Sequence, residues 1–126
     1  MSTSTAPTAA AQPTETTPAA DYCVVITTCA TDDDARELAT TLLDRQLAAC
    51  VQVMPIHSYY VWEGAQQSES ERLLLVKTRR TLYGDVEAAL RAVHKYDTPE
   101  IVCLPVVAGS AAYLGWIDQV TAPKQR

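Results

Sequence analysis

LAACVQVMPIHSYYVWEG, residues 47–64, decides the fold, because its alternation of apolar and polar positions outlasts an ordinary strand. Leu47, Ala49, Val51 and Val53 fall on alternate positions, Pro55 interrupts them, and SYYVWEG resumes the pattern. This spacing predicts one long strand, bent or bulged at the proline. EGAQQSES, residues 63–70, reads as a hairpin tip, and ERLLLVKTRR, residues 71–80, as the returning strand. Such a hairpin projects beyond any helical layer and leaves unpaired strand edges. Tyr59, Tyr60 and Trp62 on it are the amphipathic aromatics that interfaces favour, so oligomerisation through the hairpin is expected.

Upstream, YCVVITTCA, residues 22–30, is apolar on both parities, as a central strand covered on both faces would be. Thr31 then precedes three aspartates, and Ala35, Leu38, Ala39, Leu42 and Leu43 recur at helical spacing. A helix is expected from Thr31, with its carboxylates at the positive end of the dipole. Downstream, Thr81 is positioned to cap a second helix whose stripe is Leu82, Val86, Ala89, Leu90 and Val93. That helix must end before Pro99, which disfavours helical geometry at Thr98. IVCLPVV, residues 101–107, makes a fourth strand, Gly109-Ser110 a turn, and AAYLGWIDQV, residues 111–120, a short helix or strand-like tail. The order β-α-β-β-α-β is the α+β, ferredoxin-like split βαβ arrangement, with both helices on one face of an antiparallel sheet.

Composition bounds the partners. With 48% hydrophobic and 20% charged residues the chain has the profile of one folded domain, here residues 21–126. Residues 1–20 are almost wholly Thr, Ala, Pro and Ser, a composition that cannot offset its ordering entropy, so a disordered tail is expected there. The tail lacks the basic start and apolar stretch of a secretory signal, and no run reaches the roughly eighteen apolar residues that span a bilayer. A cytoplasmic location without membrane contact is the expectation. A net charge of −5 with scattered basic residues shows no basic stripe, which sets nucleic acid aside. Cys23, Cys29, Cys50 and Cys103 are widely spaced in a domain large enough to do without staples, and read as buried free thiols. Cys23 and Cys29 share a strand parity, so thiols could hold a soft ion only if strands bring them together.

VHKYDTPEI, residues 93–101, holds one of the two histidines. His94 at a helix end suits the negative dipole terminus, while Tyr96, Asp97 and Glu100 nearby could orient its ring or share a cation. His57 has no partner at metal-ligand spacing and reads as a solvent-facing or interface residue. Lys77 within LLLVKT needs a partner, an open cleft or a route for its ammonium to water. Glu63, Glu69 and Glu71 read as a solvated hairpin end. No phosphate-cradling glycine loop, Gly-x-Ser-x-Gly elbow or zinc-protease helix is present, so the chain carries no enzyme signature.

Taken together, LAACVQVMPIHSYYVWEG, LLLVKT, HKYDTPEI, LPVVAG and YLGW resemble the CutA family of divalent-cation tolerance proteins, from about Tyr22 to Val120. The resemblance implies a ferredoxin-like homotrimer joined through its long hairpins, similar to the PII signalling proteins. It implies weak binding of Cu or another divalent cation, at a first-strand cysteine and a His-His pair ending the second helix. Here Thr27 stands at the cysteine position with Cys29 two residues later, and Val93 precedes His94, so His94 carries over and Cys29 is the substitute ligand. The same resemblance places Tyr60, Trp62, Lys77, His94, Tyr96 and Glu100 around a cleft between subunits. There a small anionic ligand would meet Lys77.

Overall fold

The computed structural model describes residues 21–122. The expected tail, residues 1–20, and residues 123–126 lie outside the described residues. The elements are β1 (Tyr22–Cys29), α1 (Asp32–Asp44), β2 (Cys50–Trp62), β3 (Ala65–Arg79), α2 (Tyr83–Val93), β4 (Ile101–Pro105) and α3 (Ala111–Val120). They form one four-stranded antiparallel sheet in the order β2-β3-β1-β4. This is the expected ferredoxin-like order, and β1 is an inner strand as its composition suggests.

Helix α1 starts where the sequence places it. Thr31 is the N-cap, its hydroxyl accepting the Asp34 N–H at 3.0 Å, and Asp32, Asp33 and Asp34 fill the first turn. Its other end is closed by Gln46 in the left-handed region (φ 57°), with Gln46 N–H donating to Leu43 C=O and Leu47 N–H to Leu42 C=O. That closure uses Leu47, so the following strand begins at Cys50 rather than at Leu47. Helix α2 departs from expectation at its start. A 3-10 turn over Arg80–Leu82 leads into it, Leu82 is the N-cap, and no side chain caps it, so Thr81 does not serve.

One face of the sheet carries the core. Cys23 and Val25 of β1 and Leu74 and Val76 of β3 pack against Ala35, Leu38 and Leu42 of α1 and Val86, Ala89 and Leu90 of α2. The other face is apolar but open. Gln52, Leu75, Ile26 and Val102 pair across it in one row, and Cys50, Lys77, Val24 and Leu104 in the next. Val102 and Leu104 are exposed there. Helix α3 reaches one end of this face. Tyr22 donates to Asp118 at 2.7 Å, and Arg79 donates to Thr121 at 3.0 Å and to the Ala122 carbonyl.

The hairpin is long, as expected, and differs in two details. Its register runs unbroken from Cys50↔Lys77 to Trp62↔Ala65, with Pro55 opposite Arg72, so there is no bulge. Pro55 is tolerated because β2 is an edge strand, where a missing N–H need not break the ladder. The tip is only two residues, Glu63 (φ 51°) and Gly64 (φ 80°), both left-handed as a type I′ turn requires. Residues 65–70, expected in the tip, are strand. Because β1 ends at Cys29↔Arg72, the pairs from Ile56↔Glu71 to Trp62↔Ala65 form a two-stranded ribbon that leaves the body of the sheet.

Candidate functional site

His94 follows the last residue of α2. It is the C-cap, leaves helical geometry (φ −70°, ψ 142°), and donates its backbone N–H to Leu90 C=O. Its ring does not serve the helix end. Nε2 lies 2.9 Å from the Thr28 carbonyl and 3.4 Å from the Thr27 hydroxyl, while Nδ1 accepts the Tyr96 backbone N–H at 3.2 Å. A carbonyl only accepts, so Nε2 carries the proton and Nδ1 is bare: the ring is the neutral Nε2–H tautomer. Burial holds the His94 pKa below the usual imidazole value, against the opposing pull of the Thr28 carbonyl and Asp34.

Tyr96 extends the network. Its ring tilts against His94 at 5.1 Å between centroids, and its hydroxyl donates to Glu71 at 2.7 Å. Burial, and then the Glu71 hydrogen bond, push the Tyr96 hydroxyl well above its ordinary pKa, so it stays a donor. Glu71 is only 7% exposed, which corrects its reading as part of a solvated hairpin end. It sits at the first ribbon pair beyond β1, where Tyr96 covers it. Lys95 turns outward to Asp34 at 3.0 Å and Glu37 at 3.3 Å, fastening the loop to α1.

Cys29 is buried at the end of β1, and its thiol donates to the Thr31 carbonyl at 3.6 Å. Burial, then the Asp34 charge, push its pKa up, so the thiol form is favoured over the thiolate a metal needs. Among the described residues no three His, Cys, Asp or Glu side chains gather as a metal site would require. These donors fit only a weak contact with a cation. His94 could offer Nδ1 by releasing the Tyr96 N–H, and among the described residues no group of three such donors forms around it.

The remaining residues singled out from sequence lie elsewhere on the chain. Lys77 is on the open face, its ammonium 5.5 Å from the centre of the Tyr113 ring. Tyr60 and Trp62 are exposed near the ribbon tip, where Tyr60 pairs with Gln67 and Trp62 with Ala65. Ten residues of β3 separate Gln67 from Lys77, roughly 33 Å, so one chain alone does not bring Tyr60 to Lys77. Glu100 is exposed just before β4. Sequence reasoning missed Thr28, whose carbonyl holds His94, and Tyr113. His57 bonds Ser68 at 2.7 Å across the ribbon, in keeping with a strand-surface residue.

Comparison with known proteins places this geometry. The family model described as "CutA1 divalent ion tolerance protein" matches residues 23–120. The chloroplastic CutA protein of Arabidopsis thaliana is 41% identical over 99 residues, covering 78% of this chain and 54% of that protein. The solved CutA1 of Oryza sativa superposes with a TM-score of 0.80 at 36% identity, over 82% of this chain and 96% of that one. The periplasmic divalent cation tolerance protein CutA of Archaeoglobus fulgidus gives a TM-score of 0.78 at 34% identity, over 79% and 97%. The chain spans about half the length of the plant relatives it matches, 54% and 56%. With its fold, its long hairpin and nearly all of its described residues matched, this chain belongs to the CutA family of divalent ion tolerance proteins.

Proposed function

We propose that this chain is a non-enzymatic, homotrimeric metal-tolerance protein of the cytoplasm that makes weak contact with Cu or another divalent cation through His94, with Cys29 as a second donor. The observation that carries the reading is the His94 ring. Its bare Nδ1 is occupied only by a backbone N–H, which a cation can displace, whereas its Nε2 is fixed on Thr28. A single imidazole nitrogen supports modest affinity, suited to a protein that meets metal in excess.

Assembly is supported by the open sheet face and the ribbon. Val102, Leu104 and Met54 are exposed on the face, and Tyr59 and Val61 on the ribbon, apolar surface that neighbouring copies would cover. No helix among the described residues is long and apolar enough to cross a membrane. Light scattering should return the mass of three chains. Calorimetric titration with Cu(II) and Zn(II) should give a weak heat that is absent in His94→Ala, and a heat unchanged by that substitution would remove His94 from the reading.

A second reading has its own observation. Lys77 takes no part in the salt bridges of the described residues and leans on Tyr113, leaving its charge available. In a trimer, Lys77 of one subunit with Tyr60, Trp62, Tyr96 and Glu100 from its surroundings would bind a small anionic metabolite, as a PII-like sensor does. Salt-sensitive binding lost in Lys77→Ala supports it.

A further inference from the structure

Two of the four cysteines meet on the core face of the sheet, away from His94. Val25 of β1 pairs with Cys103 of β4, and Cys23 pairs with Pro105, so Cys23 and Cys103 are diagonal neighbours on one face. Both border the core, Cys23 within it and Cys103 packed against it. Cys23 is buried, but Cys103 is on the edge strand and lines a cavity of about 470 Å³ with Arg80, Thr81, Tyr83 and Gly84. A path from solvent to Cys103, the outer member of the pair, therefore exists on the side away from the open face.

We propose that Cys23 and Cys103 form a two-coordinate site for a soft monovalent cation of the Cu(I) or Ag(I) class, entered through the Arg80 cavity. Geometry favours an ion over a disulfide. Diagonal strand neighbours have Cα atoms about 7–8 Å apart, beyond the usual disulfide range, whereas a linear S–metal–S bridge spans a longer sulfur separation. Thiolate sulfur selects soft ions, and a site with no imidazole or carboxylate gives divalent cations little. Binding replaces two S–H bonds by two S–metal bonds and releases two protons to water, with the ion keeping its oxidation state. The resulting bis-thiolate complex carries one negative charge, which Arg80 on the cavity wall offsets. Without an ion Cys23 stays protonated: burial, and then the neighbouring Cys103 side chain, push it up to about 12. The site shares no residue with the His94 reading and does not depend on it.

The test is anaerobic titration of the reduced full chain with Cu(I) in competition with a chromophoric Cu(I) chelator, repeated with Ag(I). One ion per chain is expected, with thiolate-to-Cu(I) absorption in the ultraviolet. Cys103→Ser, at the partly exposed edge position, should fold as judged by circular dichroism and lose the competition. Cys29→Ser, Cys50→Ser and His94→Ala should retain it. Absence of uptake by the folded wild-type chain, uptake that survives Cys103→Ser, or uptake that disappears with Cys29→Ser would overturn the assignment.

Discussion

The β2–β3 hairpin has two halves that share one register and differ in what holds them. Near its base, Leu74 and Val76 are fully buried beneath α1 and α2, and Val51 packs against the same core. Toward its tip, Tyr59 is 79% exposed and Val61 70%, and each strand has only the other for a neighbour. The base is fixed by side-chain burial, the ribbon by backbone pairing and a two-residue turn. An isolated two-stranded ribbon is marginal in water, so the outer half depends on whatever surface meets it, and the inner half does not.

Substitutions can break or sharpen this contrast. Leu74→Ala opens a cavity in the base and should cost about 2–5 kcal/mol, read from the denaturant midpoint at unchanged m. A cost below about 1 kcal/mol would mean that the base is no better packed than the ribbon.

Tyr96→Phe tests the junction between the halves. It leaves the buried Glu71 carboxylate without its donor and should cost about 1–3 kcal/mol, with faster amide exchange near Glu71. No change in either quantity would show that water replaces the phenol and that the junction is open.

Gly64→Ala acts on the ribbon alone. A Cβ there meets no atom within 4 Å, so the whole cost is the left-handed backbone at φ +80°, about 1–2 kcal/mol locally. Amide exchange should quicken from Tyr59 to Ser68 while the global melting temperature holds. A matching fall in global stability would place the ribbon in the same cooperative unit as the core.

The same contrast explains what the sequence revealed. Hairpin length was legible because Val51, Val53 and the LLLV run alternate or cluster where a core marks one face. Residues 65–70 were misassigned to the tip because a ribbon with no buried face needs no apolar alternation. Pro55 suggested a break that an edge position makes unnecessary. The end of α2 near His94 was legible from Pro99, but the partner of its ring was not, since Thr28 lies 66 residues away in sequence. Glu71 looked solvated because Tyr96 reaches back to it over 25 residues, a contact that no local pattern announces. Thr81 looked like a cap because its position and type fit, and the 3-10 turn ahead of α2 displaced it.

The ties around Arg79 have a practical consequence. Tyr22 begins β1 opposite Arg79, Arg79 holds Thr121 and Ala122, and Ala122 N–H donates to Gln46 C=O. The described chain therefore enters and leaves at one pole, while Gly64 stands at the other, fourteen residues of β3 away, roughly 46 Å. A fluorophore at Asp21 or Ala122 and another at Gly64 make the molecule its own ruler. Energy transfer within one chain stays low at that separation, so any rise on mixing singly labelled populations reports a neighbour's tip arriving beside this pole.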